Sequence, residues 1–427
     1  MTLENPDNKS GGRPTPMQTK ELALLHLIHS GVNSSRLELA RKTGLSPASI
    51  TLIVKSLIDK GIVVERATTS SNVGRRPVPL EIRSDVAYLV GVDIGSYYLR
   101  VVITDMNGKI AYVSQCLTLI QEARDRVLTR AFRAVHRAID ESGLPKTAIL
   151  GIGIAHSGFI DSDNGVVLSF PRPGQMTEWR NVPLQKLFQN EFAVPCLLED
   201  SVRTIATAEK HFGLCKSLDD FLQIDVGMGI GAAIFFDGRL YRGAGGKAGE
   251  FGHITVDKNG PLCSCGNNGC LQAVASCAAI IEAVRTAINR GVDSHIQQLA
   301  GGDLDKVSIE LIAQAAAAND SLAFRVLQEA ASYIADGLAD LVNLLNPKLI
   351  VFGGALFRAA PQLLSDPVRS IIKRRSLEKS FNDVQLQVSP LGSEAGALGA
   401  SRLNAERVLE DVYFHNFQVK HSAEFVD

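Results

Sequence analysis

FLQIDVGMGIGAAIFFDG, residues 221–238, is the stretch from which the fold can be read. An apolar run ends in Asp225 and Gly227, a second apolar run follows, and Asp237-Gly238 closes it, so the pattern is strand, glycine turn, strand, turn. YLVGVDIGSYYLRVVITDMNG, residues 88–108, repeats this grammar with Asp93 and Gly95 in the corresponding places. Two copies more than a hundred residues apart predict a duplicated α/β fold with a cleft between two lobes. Glycine turns after strands can cradle phosphate through backbone N–H groups, although a structural hairpin uses the same residues.

Just beyond the second copy lies AGEFGHITVDKNGPLCSCGNNGC, residues 248–270. His253, Cys263, Cys265 and Cys270 offer one imidazole and three sulfurs, a set suited to tetrahedral zinc. With all four positions filled by protein, the metal would be structural. Three of the seven cysteines fall within eight residues, which in a cytoplasmic chain favours a metal over a disulfide framework. Cys116, Cys196, Cys215 and Cys277 are expected in the core.

The front of the chain has a different pattern. From Thr19 the spacing of Leu22, Leu25 and Ile28 predicts a helix. In SSRLELARKTGLSPASITLIVKSLIDKGIVVE, residues 34–65, Ser35 and Glu38 form a capping box that opens a short helix ending near Thr43. Gly44 makes the turn, and Ser46 caps a second helix that begins at Pro47. Ile50, Ile53, Val54, Leu57 and Ile58 form its buried stripe. Its open face carries Ala48, Thr51, Leu52 and Lys55, with Ser46 and Ser49 at its start, short enough to approach base edges in a major groove. GIVVERATTSSNVGRRPVPLEI, residues 61–82, predicts two strands around a mobile loop, with Arg75 and Arg76 placed to reach phosphate or the minor groove. This order predicts a winged helix-turn-helix, the alternative being a small three-helix domain that binds protein or packs on the body of the chain.

The 427 residues imply two or three domains, and 45% hydrophobic with 21% charged residues excludes a fibre or a disordered chain. The expected organisation is a disordered lead-in over 1–16, the winged domain over 17–83, a first α/β lobe over 84–200 completed by about 392–427, and a second lobe with the zinc loop over 201–391. Residues 1–82 carry a charge of +4 and the remainder −5, a basic front on an acidic body. No apolar run approaches the roughly 18–20 residues that span a bilayer, and the N-terminus has no apolar signal core, so membrane insertion is not expected and a cytoplasmic location is.

These residues resemble the ROK family of sugar kinases and sugar-responsive repressors, from about Leu22 to about Ser401. The resemblance rests on GMGIGAAIFFDGRLYRGAGGKAGEFGH (227–253) and CSCGNNGCLQ (263–272), and more loosely on DIGSYY (93–98), GIGIAHSGFID (151–161), VFGGAL (351–356) and GSEAGALGA (392–400). It implies a two-lobed ribonuclease-H-like (actin/sugar-kinase-like) duplicated fold behind the winged head. It also implies a DNA-binding regulator, since repressor members carry that head and kinases usually lack it.

In the family's kinases a strand ends in Glu-Asn-Asp-Ala-Asn, whose Asp takes the proton from the attacking sugar hydroxyl. Aligned on Glu199 and on Ala208-Glu209, that Asp corresponds to Ser201, whose own proton is too tightly held for a base. A one-residue slip would make Asp200 the base and spoil the downstream match. Tyr97 and Met228 stand where the kinases' phosphate loops carry threonines, so the resemblance implies no enzyme activity. Glu250 and His253 keep the Glu-x-Gly-His pattern that contacts sugar hydroxyls. Asp200, Ser201, Glu250, His253, Gln272 and Arg172 are the expected effector contacts, Gln272 replacing a usual Glu and Arg172 a common Asn. A cationic Arg172 or Arg203 would suit an acidic or phosphorylated sugar. The expected partners are a palindromic double-stranded operator, a sugar effector and a second copy, as homodimer or tetramer, with a sugar-transport protein as a further possible partner. The rival reading is an ATP-dependent sugar kinase with an accessory DNA-binding head.

Overall fold

The computed structural model describes residues 15–29, 35–66, 78–170 and 179–423, with side chains of the last helix described as far as Phe414. The chain divides into two compact units. The first gathers the N-terminal region to Tyr88 with the short turn 105–109 and the C-terminal segment from Ala405; the second holds the rest. In this division the segment from Ala405 groups with the head, where the expected ranges had 392–427 completing the first lobe.

In the first unit, helices α1 (Pro16–His29), α2 (Arg36–Thr43) and α3 (Pro47–Asp59) precede strands β1 (Val63–Glu65) and β2 (Leu80–Ile82), which pair antiparallel. The Ser35–Glu38 capping box opens α2, Gly44 ends it at φ 69°, and the Ser46 hydroxyl accepts from Ser49 N to open α3. Ile50, Ile53, Val54 and Leu57 are buried, while Ile58 is half-buried. Burial of the four fixes which face of α3 stays open, and deleting one such side chain to alanine costs about 2–5 kcal/mol. α1 buries Glu21, Leu24, Leu25 and Ile28, and Leu22 is only half-buried. A carboxylate in a core needs partners. Ser56 Oγ donates to Glu21 Oε1 at 2.6 Å, and Lys60 Nζ and Tyr413 OH both donate to Oε2. Tyr413 belongs to the C-terminal helix Ala405–Ala423, and Lys60 Nζ also lies 4.4 Å from its ring centroid. One buried carboxylate thus joins α1, the end of α3 and the C-terminal helix.

The second unit contains two five-stranded sheets of matching order. The first is β5-β4-β3-β6-β9, built from β3 (Tyr88–Ile94), β4 (Tyr98–Asp105), β5 (Ile110–Leu117), β6 (Ile149–His156) and β9 (Cys196–Asp200). Between β6 and β9 the chain forms the small antiparallel pair β7 (Phe159–Asp161) and β8 (Val166–Ser169). The other sheet is β12-β11-β10-β13-β14, from β10 (Phe221–Val226), β11 (Ile230–Phe236), β12 (Arg239–Tyr241), β13 (Leu349–Gly353) and β14 (Gln385–Val388). The repeated sequence grammar therefore forms corresponding hairpins, β3-β4 and β10-β11, with Asp93 and Asp225 near the ends of their first strands.

Helices 201–211 and 395–402 pack together. The small residues of AGALGASR permit this approach: a Cβ on Gly399 would lie 1.7 Å from Thr204 O, so only glycine fits. Helix 201–211 also packs on the second sheet, where Ala206 joins Phe221, Ala233, Phe235, Leu349 and Val351 in one apolar cluster. It starts at the end of β9, which places Asp200 and Ser201 where strand turns into helix. Among the described residues no helix is long and apolar enough to cross a membrane.

Candidate functional site

On α3, Ala48, Thr51, Leu52 and Lys55 are exposed and Ser49 is half-buried. Ser46 Oγ is occupied by the cap and by Ser49 Oγ at 2.9 Å, and Thr51 Oγ1 donates back to Pro47 O. Leu52 is 63% exposed, an apolar side chain in open solvent at the middle of the helix, which suits a thymine methyl. Arg75 and Arg76 lie outside the described residues.

The His/Cys cluster is compact. The ligand atoms of His253, Cys263, Cys265 and Cys270 lie within 4.8 Å of one another. Cys263 Sγ is 3.7 Å from His253 Nδ1, and Cys265 Sγ is 3.7 Å from Cys270 Sγ. A zinc–sulfur bond of about 2.3 Å places tetrahedral sulfurs about 3.8 Å apart, so the donor set fits that ion in chemistry and in size. Gly269, at φ 64°, lets the loop close: a Cβ there would stand 1.5 Å from Asp257 O. Amide groups face the sulfurs, Gln272 Nε2 donating to Cys263 Sγ at 3.5 Å and Asn267 Nδ2 to Cys270 Sγ at 3.7 Å. The Gln272 amide nitrogen is therefore directed at the metal loop. With Nδ1 beside Cys263, the other ring nitrogen of His253 lies 3.9 Å from Glu250 Oε2, and Phe159 stacks on the ring with centroids 5.8 Å apart.

At the end of β9, Asp200 caps helix 201–211, its Oδ1 accepting from Val202 N at 2.9 Å and Arg203 N at 3.1 Å. Burial raises its carboxyl to about 7; Glu199 and Glu250 add to the rise, and Arg203 and the Arg203 N–H oppose it. Ser201 Oγ donates to Asp93 Oδ1 at 3.1 Å and lies 3.2 Å from Ser157 Oγ. Asp93 is raised to about 6, chiefly by burial, with Asp225 adding to the shift and Arg100 and Ser201 opposing it. Burial likewise raises Asp225, against Arg358 and Arg100. Tyr97 and Met228, on the two glycine turns, are exposed. Glu250 is raised by burial and held down by Arg203 and Lys247.

Arg203 lies where sequence reasoning could not place it. Its side chain is buried, with Nη2 donating to Gly246 O at 2.7 Å and Ala248 O at 3.0 Å, and Nη1 to Glu199 Oε1 at 3.4 Å. Glu199 also pairs with Arg242 and accepts from Ser162 Oγ at 2.8 Å. Arg203 is thus committed to protein groups, and the expectation that it could meet an acidic sugar is corrected. Arg172 lies outside the described residues. The structure brings Asp200 and Ser201 together at one strand end, and Glu250, His253 and Gln272 together around the loop that carries the three cysteines.

Residues 89–407 match the model of the ROK family, and residues 17–64 match that of a winged helix-turn-helix DNA-binding domain. The xylose repressor of Caldicellulosiruptor bescii is 31% identical over 383 residues, covering 90% of this chain and 94% of its own. The DNA-binding transcriptional dual regulator NagC of Escherichia coli K12 is 28% identical over 395 residues, 92% of this chain and 94% of its own. Among solved structures, a ROK family transcriptional regulator described as a homologue of the E. coli MLC protein superposes with a TM-score of 0.74 at 29% identity, covering 92% of this chain and 97% of its own. A ROK family glucokinase from Streptomyces griseus, solved with glucose and AMPPNP, gives 0.65 at 28% identity, covering 99% of its own chain but 74% of this one.

Proposed function

We propose that this chain, which belongs to the ROK family and begins with a winged helix-turn-helix, is a sugar-responsive transcriptional repressor whose former kinase cleft binds the effector without phosphorylating it. The observation that carries the reading is Ser201: at the expected position of the base stands a hydroxyl that donates to Asp93, and a serine cannot accept the sugar's proton near neutral pH.

The head reads DNA with Ser46, Ala48, Ser49, Thr51, Leu52 and Lys55, joined by Arg75 and Arg76. Two copies bind a palindromic operator as a homodimer or tetramer, because one small module makes too few contacts. The effector is a sugar whose hydroxyls meet Asp200, Ser201, Glu250 and the His253 nitrogen beside Glu250, a set of acceptors and small donors. Gln272 and Arg172 complete the expected contacts. Zinc held by His253, Cys263, Cys265 and Cys270 supplies rigidity, fixing the imidazole and the loop that carries it. The effector acts only by its difference in affinity between arrangements of the protein. The chain works in the cytoplasm, where DNA and free sugars meet, and a sugar-transport protein is a further partner.

The kinase reading keeps one support: a carboxyl raised to about 7, as Asp200 is, suits a general base. Melting temperatures across sugars, with D-xylose and N-acetylglucosamine first, each with and without magnesium-ATP, separate the two. A rise with one sugar that ATP leaves unchanged fits the sensor. A rise that needs ATP, with ADP released, fits the kinase.

A further inference from the structure

Arg242 to Gly249 forms a glycine-rich segment that ends next to Glu250. Such a segment has many conformations to lose, and its order needs anchors. The Arg242 guanidinium pairs with Glu199 at one end, and Gly246 O and Ala248 O accept from Arg203 Nη2 at the other. Gly249 O then accepts from Ala232 N at 3.0 Å, fixing the backbone next to Glu250 to β11. Arg203 is 4% exposed, and its charge is balanced by Glu199, which is 1% exposed.

We propose that Arg203 is a positioning residue for effector recognition: it holds the Arg242–Gly249 loop, and through it aims the Glu250 carboxylate into the cleft. The guanidinium is suited to this because its planar fork reaches two carbonyls and a carboxylate at once, which an ammonium at the same place could not do. The loop's anchoring stands on the geometry alone, and the effect on the effector rests on the reading of Glu250 given above.

The test uses full-length protein and the variants Arg203→Lys and Arg203→Asn. Lys247 is exposed within the anchored segment, so native-state trypsin cleavage after it reports how often the loop opens. Cleavage after Lys247 is expected to rise about tenfold in Arg203→Lys, with metal content unchanged. For the sugar that raises the wild-type melting temperature, the dissociation constant is expected to rise about tenfold, with operator binding in its absence within about twofold. Cleavage within about twofold of wild type, in a variant with wild-type circular dichroism, would overturn the anchoring. Faster cleavage with unchanged sugar affinity would overturn the positioning role. A wild type that binds no sugar would refute the proposed function, a result distinct from either. If Arg203→Asn fails to fold, Arg203→Lys, which keeps the charge beside Glu199, decides alone.

Discussion

Replacing Lys60 by methionine leaves the Glu21 carboxylate in the core of the head without its cation. The side chains of Glu21 and Lys60 are 4% and 12% exposed, and breaking a buried pair by removing one partner costs about 3–5 kcal/mol. The loss has a ceiling, because Glu21 can take a proton instead. From an unfolded-state value of about 4.3, protonation at pH 7 costs about 2.7 units of about 1.36 kcal/mol, or about 3.7 kcal/mol. At pH 5 the same step costs only about 1 kcal/mol, so the deficit should shrink by about 2.7 kcal/mol. The wild type behaves in the opposite sense. Its Glu21 is lowered despite burial, by Lys60, Ser56 and Tyr413, so its contribution is full above the unfolded value and is lost only as pH falls through the lower folded one. Hydrogen exchange of α1 and α3 amides at pH 5 and 7, corrected for intrinsic rates, measures the local free energy without requiring the whole chain to unfold in one step. A deficit equal at both pH values, or a double variant Glu21→Gln/Lys60→Met no more stable at pH 7 than the single one, would show that Lys60 does not serve as the counter-ion of Glu21.

Three other expectations follow from the geometry. Protein purified without chelator should hold about one zinc per chain, and Cys263→Ala should lose it; less than about half an equivalent in the wild type contradicts the metal site. Leu52→Ala should change stability by less than about 0.5 kcal/mol while weakening operator binding about tenfold, since the side chain is exposed; unchanged DNA affinity in a gel-shift titration counts against α3 as the reading helix. Lys55→Ala should lower the slope of log affinity against log salt by about 1, and an unaltered slope means that Lys55 does not neutralise a phosphate.

What the sequence disclosed was whatever depends on neighbours along the chain. The capping box at Ser35, the cap at Ser46 and the stripe Ile50-Ile53-Val54-Leu57 are local, and each formed where its pattern placed it. α1 begins at Pro16 rather than Thr19 because Thr15 N donates to Gln18 Oε1 and Thr15 Oγ1 accepts from Gln18 N. That is a second capping box, and TPMQ (15–18) spells it, so the signal was present. The grouping of His253 with Cys263, Cys265 and Cys270 was legible from type and spacing. Arg203 was not, because its partners Gly246 and Ala248 stand more than forty residues away and are backbone atoms without a residue signature. The same holds for Tyr413, whose partner Glu21 lies at the other end of the chain, and for Gln272, whose turn toward Cys263 depends on how the loop closes.

A sugar bound beside Glu250 should lower the protein's affinity for DNA. This is tested most directly by fluorescence anisotropy of the full-length protein on a labelled operator, selected from random duplexes, titrated with the sugar that raises its melting temperature. DNA should be released as that sugar saturates, without ATP, and Glu250→Gln protein should bind the operator normally but no longer release it. Full retention of DNA at saturating sugar, or release only when magnesium-ATP is present, would contradict it.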